Sequence, residues 1–114
     1  MSKRTSTHPL ELHPAFRATV AAATPLAMLA PRLPAPELLG TLAIACSDLA
    51  DGFAAPPDSQ RRIQSHQRAW IAVREIDRAI VAARRKRAVP PELVARAQRA
   101  IDRADVLIGA LLPS

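Results

Sequence analysis

Ala69-Trp70-Ile71-Ala72-Val73-Arg74-Glu75-Ile76-Asp77-Arg78-Ala79-Ile80-Val81-Ala82-Ala83 is the stretch whose reading decides the fold. Ala69, Val73, Ile76, Ile80 and Ala83 recur at spacings of 4, 3, 4 and 3. That period keeps them on one side of an α-helix, because residues three and four apart stack above one another. The surrounding segment, Ser59 to Arg87, holds nine basic residues and ends in Arg84-Arg85-Lys86-Arg87. A core seam and a cationic surface therefore share one long helix.

Outward from it, the composition sets limits. The chain has 114 residues, the length of one domain with a real core. Apolar residues make up 49% of it but aromatic ones only 3%, so the core must be built from Ala, Leu, Ile and Val. Apolar positions fall at helical spacing almost throughout, and the reading is all-α.

Residues 1–11 lack periodicity and read as a flexible leader; the domain is 12–114. A first helix is expected from Pro14, whose missing N–H costs nothing in a first turn. Phe16, Val20, Ala23, Ala27 and Ala30 read as its inward stripe, with a kink or early end at Pro25. Pro31, Pro34 and Pro36 then stiffen the connection to a second helix, Pro36 to Ala54. Its seam is Leu38, Leu42, Ala45, Leu49 and Gly52 or Phe53, widened by Leu39 and Cys46, and Pro56-Pro57 stops it. Asp58 or Ser59 can cap the third helix, since a short oxygen side chain accepts from first-turn N–H groups.

Pro90-Pro91 starts a fourth helix, with Glu92 at the positive end of its dipole. Leu93, Ala97, Ala100, Ala104, Leu107 and Leu111 read as its seam, flanked by Ile101 and Ile108. Short turns between four such helices predict an antiparallel up-down-up-down four-helix bundle with helix 3 the longest. Ile71 lies well off the helix 3 seam and Trp70 stands at its shoulder. Apolar residues there mark a subunit interface or a wider core stripe.

Charge is distributed unevenly. Residues 1–60 hold four basic and five acidic side chains, residues 61–114 twelve and five. An anionic partner would bind the second half. Arg61, Arg68, Arg78, Arg85, Arg96, Arg99 and Arg103 are the candidate nucleic-acid contacts, on the outer face of the helix 3–helix 4 hairpin. With Trp70 the one aromatic residue in this half, binding would be electrostatic and only weakly sequence-selective. Arg is also a solubilising residue, and Arg74–Asp77 and Arg99–Asp102 are spaced as i,i+3 surface ion pairs.

Several classes of chemistry find no support. The single cysteine, Cys46, excludes an internal disulfide and a multi-cysteine zinc site. No Glu-x-x-His pair suits a di-metal bundle, no Gly-rich loop suits a nucleotide, and Ser47 and Cys46 have no His nearby to activate them. His66 continues the helix 3 seam and reads as a packed or capping residue. No cofactor is implied. Ala18 to Ala30, interrupted by Thr24 and Pro25, is too short to span a bilayer, so the expectation is a cytoplasmic protein without membrane attachment.

The order of features resembles one family. Leu33-Pro34-Ala35-Pro36-Glu37-Leu38-Leu39-Gly40, then Ala45-Cys46-Ser47, then Ala69-x-x-Ala72-x-x-Glu75-Ile76, the Arg/Pro turn and Ile101 to Leu112 are similar to the four-helix-bundle family of 23S rRNA intervening-sequence proteins. That family includes the accessory variability determinant of diversity-generating retroelements. The chain departs from it at the end of helix 2, where Asp51, Ala54 and Ala55 replace the family's Asn-x-x-Glu-Gly. The resemblance implies a homo-oligomeric ring, typically a pentamer, without catalytic activity. For the retroelement branch it implies binding to RNA or DNA and to a protein partner, a reverse transcriptase. The expected function is thus a non-enzymatic scaffold or adaptor that binds nucleic acid. A purely structural oligomer with a protein partner is the alternative, and a small-anion enzyme of chorismate-mutase-like type a more distant one.

Overall fold

The computed structural model describes residues 13–33, 37–85 and 89–113; the leader, Pro34 to Pro36 and the Lys86-Arg87-Ala88 segment lie outside them. Among the described residues every regular element is helical and there is no strand. The elements are α1 (Pro14–Ala21), α2 (Ala23–Leu29), a 3₁₀ turn (Ala30–Arg32), α3 (Leu38–Ala54), α4 (Gln60–Arg84) and α5 (Pro91–Gly109). The first two are the halves of one interrupted helix, which leaves four helices among the described residues.

Local chemistry explains the boundaries. Pro14 occupies the first turn of α1, and His13 Nδ1 accepts the Ala15 N–H at 3.2 Å. The break at Ala22 is one turn before Pro25, which has no N–H for the Ala21 carbonyl and crowds it with its ring. Ser59 Oγ accepts the Arg62 N–H at 3.1 Å, so Ser59 caps α4, while Asp58 takes a left-handed turn conformation with φ 64°. At 25 residues α4 is the longest helix, about 37 Å at ~1.5 Å per residue.

The end of α3 is closed by a side chain from α4. Arg62 donates Nε–H to the Gly52 carbonyl at 2.9 Å and an Nη2 hydrogen to each of the Phe53 and Ala55 carbonyls at 3.0 Å. Last-turn carbonyls have no partners within their own helix and carry the negative end of its dipole. One guanidinium satisfies three of them and locks the α3–α4 corner.

The core runs the length of the molecule. In α4, Ala69, Val73, Ile76, Ile80 and Ala83 are all buried, as their spacing requires; in α3 so are Leu38, Leu42, Ala45, Leu49 and Gly52. Leu39 is exposed and Cys46 half-buried. The widest interface joins α3 to α4, followed by α4 to α5; α1 and α2 pack on α5 and α3, so the contacts close around one shared core.

Two seams differ from expectation by about one position. In the first helix the buried residues are Ala15, Ala18, Thr19, Ala22, Leu26, Leu29 and Ala30; Val20 and Ala27 are exposed. Thr19 can face inward because its hydroxyl donates to the Ala15 carbonyl at 2.7 Å, and small residues there let α1 approach α5 closely. In α5 the centre of the seam is Val94, Ala97, Ile101, Ala104 and Ile108, while Leu93, Ala100, Leu107 and Leu111 are only partly buried. Since α5 touches both α4 and the α1–α2 helix, it uses two adjacent stripes, and the β-branched one takes the middle.

Candidate nucleic-acid interface

The seven arginines proposed from sequence do not share one face. Arg68 leans toward α3, donating Nε–H to Asp48 Oδ1 at 3.4 Å and an Nη2 hydrogen to Ser65 Oγ at 3.2 Å. Arg61 is exposed in the first turn of α4, seven residues before Arg68 and thus on the same side of the helix. Arg78 and Arg85 flank a shallow groove on the outside of α4 with Asp77, Val81 and Ala82. Arg96, Arg99 and Arg103 are exposed along the outside of α5.

Two arginines that were not singled out join the α5 group. Arg84 lines a groove with Arg99, Gln98, Val89, Pro91, Val94 and Ala95. On the other flank, Arg17 of α1 and Arg103 border a groove floored by Pro14, Ala18, Ala21 and Ala100. The basic surface is therefore centred on α5, with one neighbouring helix adding an arginine on each side. Arg17 was passed over because it belongs to the nearly neutral first half, and Arg84 because a cation at a helix C-terminus has a ready local explanation. Pro14 at N1 is the signal that could have placed Arg17 on the outer face of α1.

These cations lack carboxylate partners. Among the described residues the ion pair within 4.0 Å is Arg68–Asp48; Arg74–Asp77 and Arg99–Asp102, expected from their spacing, do not form. The acids are occupied otherwise. Gln98 Nε2 donates to Asp77 Oδ1 at 2.6 Å and to Asp102 Oδ1 at 2.8 Å, and Gln98 Oε1 accepts from Arg84 Nη2 at 2.9 Å. Arg74 lies over the Trp70 ring, 4.8 Å from its centroid. Exposed guanidinium groups that form no ion pair raise the local potential at low cost, since water already solvates them.

Trp70 is half-buried, and its Nε1–H donates to Asp105 Oδ1 at 2.6 Å, so its polar edge is satisfied within the chain. Ile71 is 57% exposed and Ile44 of α3 58%. The Asp48–Arg68 pair on one side and the groove joining Thr41 to Glu75 on the other bracket Ile44 and Ile71 at one level of the α3–α4 pair. Beside Ile44 the outer side of α3 presents Gly40, Ala43 and Ser47, all exposed and uncharged. The sequence singles out Ile71 but not Ile44, which lies outside the α3 stripe of Leu38, Leu42, Ala45 and Leu49.

Other reactive groups are inward. His66 is 2% exposed, its ring edge-on to Phe53 at 4.7 Å, with Gly52 directly against it. Burial, first, and then the charge of Arg62 hold its pKa below the usual imidazole value; a bond to the Leu49 backbone opposes this, and His13 adds to the lowering. Its Nε2 is buried without a hydrogen-bond partner. Burial likewise pushes the Cys46 thiol upward, which makes it a poorer nucleophile. Among the described residues no group of three His, Cys, Asp or Glu side chains could hold a metal ion, and no helix is long and apolar enough to cross a membrane.

No protein-family model matches the chain, and neither a curated protein nor a solved structure shows significant similarity to it.

Proposed function

We propose that this protein is a non-catalytic, homo-oligomeric scaffold of the cytoplasm that binds nucleic acid electrostatically, through the arginines arrayed around α5. The observation that carries the reading is the set of exposed guanidinium groups of Arg17, Arg84, Arg96, Arg99 and Arg103, none with a carboxylate within 4.0 Å among the described residues, extended along α4 by Arg78 and Arg85. Arginine forks donate two parallel hydrogen bonds to phosphate, and such contacts position a partner without reading bases. Arg61 and Arg68, on the α3 side, contribute little to this surface.

The bundle is antiparallel, up-down-up-down, in this reading. Its support is the order of cross-helix partners: Trp70 meets Asp105 while Asp77 meets Gln98, and Arg62 meets Gly52 while Arg68 meets Asp48. As one number rises the other falls. Oligomerisation is supported by exposed Ile44 and Ile71, with small uncharged Gly40, Ala43 and Ser47 beside Ile44, since large apolar side chains left on an outer face mark a contact surface. The resemblance to the intervening-sequence family agrees with a pentameric ring, which would multiply the arginine surface around one axis.

Titration of labelled single- and double-stranded RNA and DNA fragments at several salt concentrations tests the proposal. Binding should weaken steeply as salt rises, for all sequences alike. No binding at low salt, or binding indifferent to salt, would leave the structural oligomer with a protein partner as the better reading.

A further inference from the structure

The groove at the α4–α5 corner has a construction that phosphate contacts alone do not require. Its volume is about 620 Å³, within the range of small-molecule sites. Val89 and Val94 are buried beneath it, Pro91 and Ala95 form its apolar walls, and Arg84 and Arg99 stand at the rim. Arg84 is held by an amide rather than an acid. Gln98 accepts from it at 2.9 Å and directs both of its own N–H groups away, one to Asp77 and one to Asp102. The carboxylates are thereby turned onto the amide, and neither lines the groove. Arg84 is oriented without being neutralised, and among the described residues its remaining donors make no other bond. Arg99 makes no ion pair either among the described residues.

We infer that this groove binds a small amphipathic anion, a carboxylate carrying an aliphatic body. The carboxylate would take hydrogen bonds from Arg84 and Arg99, and the body would cover Val89, Pro91, Val94 and Ala95. A purely hydrophilic anion leaves that floor wet, and a neutral apolar molecule leaves the two guanidinium groups without a partner. The combination of an apolar floor and an uncompensated cationic rim selects for both properties at once. Nucleobases suit it less well, because Gln98 has spent both donors and the other described wall residues, Val89, Pro91, Val94 and Ala95, offer only apolar side chains.

Decanoate is the probe, with acetate and decanol as its two halves, followed by calorimetry and by the methyl NMR signals of Val89, Val94 and Ala95. Decanoate should bind saturably and shift those signals, and acetate and decanol should each bind at least about tenfold more weakly. Ala95→Asp, an exposed position where a new carboxylate repels the ligand without disturbing the core, should weaken decanoate about tenfold or more; Arg84→Gln with Arg99→Gln should do the same. Equal affinity for decanol, no saturation, or full affinity in the Ala95→Asp protein with unchanged circular dichroism would overturn the assignment. So would dissociation of an oligomer by decanoate in light scattering, which would make the groove a subunit interface.

Discussion

Gly52 and His66 show how one small residue can fix a buried polar one. A Cβ at position 52 would meet the imidazole ring well inside van der Waals distance, and Phe53 already packs edge-on against the same ring. Gly52→Ala should therefore destabilise the fold by about 1–3 kcal/mol through overpacking. In a His66→Ala background the same change should cost much less, and urea unfolding followed by the fluorescence of Trp70 measures both. The ring also makes stability depend on pH. Its pKa is lowered in the fold, so the unfolded chain takes up the proton first. The contribution of neutral His66 is complete above the ordinary imidazole pKa of about 6.5 and is lost as pH falls toward the lower folded value. Unfolding midpoints should fall between about pH 7.5 and about pH 5 in the wild type, and His66→Phe should flatten that portion of the profile. A profile unchanged by removing His66 would mean that other groups set the acid sensitivity.

At the scale of elements, Arg62 belongs to the fold rather than to the basic surface. Arg62→Gln would strand the Phe53 and Ala55 carbonyls, while Gly52 keeps the Ala55 N–H, and should cost about 2–3 kcal/mol; Arg62→Lys should recover only part, because an ammonium cannot span the three acceptors that a guanidinium fork reaches. Thermal melts of the two variants check the order. The helices themselves were largely legible in the sequence, and the reason can be stated element by element. In α3 and α4 one stripe keeps the 4,3 spacing throughout, so Leu38 to Leu49 and Ala69 to Ala83 could be placed, whereas Leu39, Ile44 and Ile71 off that stripe could not be assigned to core or surface from spacing alone. In α5 two stripes one residue apart, Leu93/Ala100/Leu107 and Val94/Ile101/Ile108, both satisfy the period. Which one is central depends on what lies on either side of α5, and that is tertiary information. In α1 the choice followed side-chain size, Phe16 and Val20, whereas close approach of two helices favours Ala15, Ala18 and Ala22. The arginine surface was legible in kind and not in outline: a charge count finds the basic half, but Arg17 joins it only because α1 packs beside α5, and Arg68 leaves it because Asp48 stands opposite.

At the scale of the whole molecule the proposed function uses two surfaces: Ile44 and Ile71 on the α3–α4 side for assembly, and the arginines of the α5 side for the nucleic acid. Ile44→Asp combined with Ile71→Asp should convert an oligomer to a monomer in light scattering without loss of helix content, since both residues are exposed and contribute little to the core. An unchanged mass would move the interface elsewhere. The proposed function rests on the α5 surface. Its most direct test is the salt dependence of RNA affinity, by fluorescence anisotropy, for the wild type, for Arg17→Gln/Arg84→Gln/Arg99→Gln/Arg103→Gln, and for Arg61→Gln/Arg68→Gln. The logarithm of the wild-type association constant should fall linearly with the logarithm of salt. Each phosphate contact removed from the α5 set should lower that slope by about one, while the α3-side pair should leave it nearly unchanged. Salt-independent binding, or equal losses in the two variants, would contradict the account.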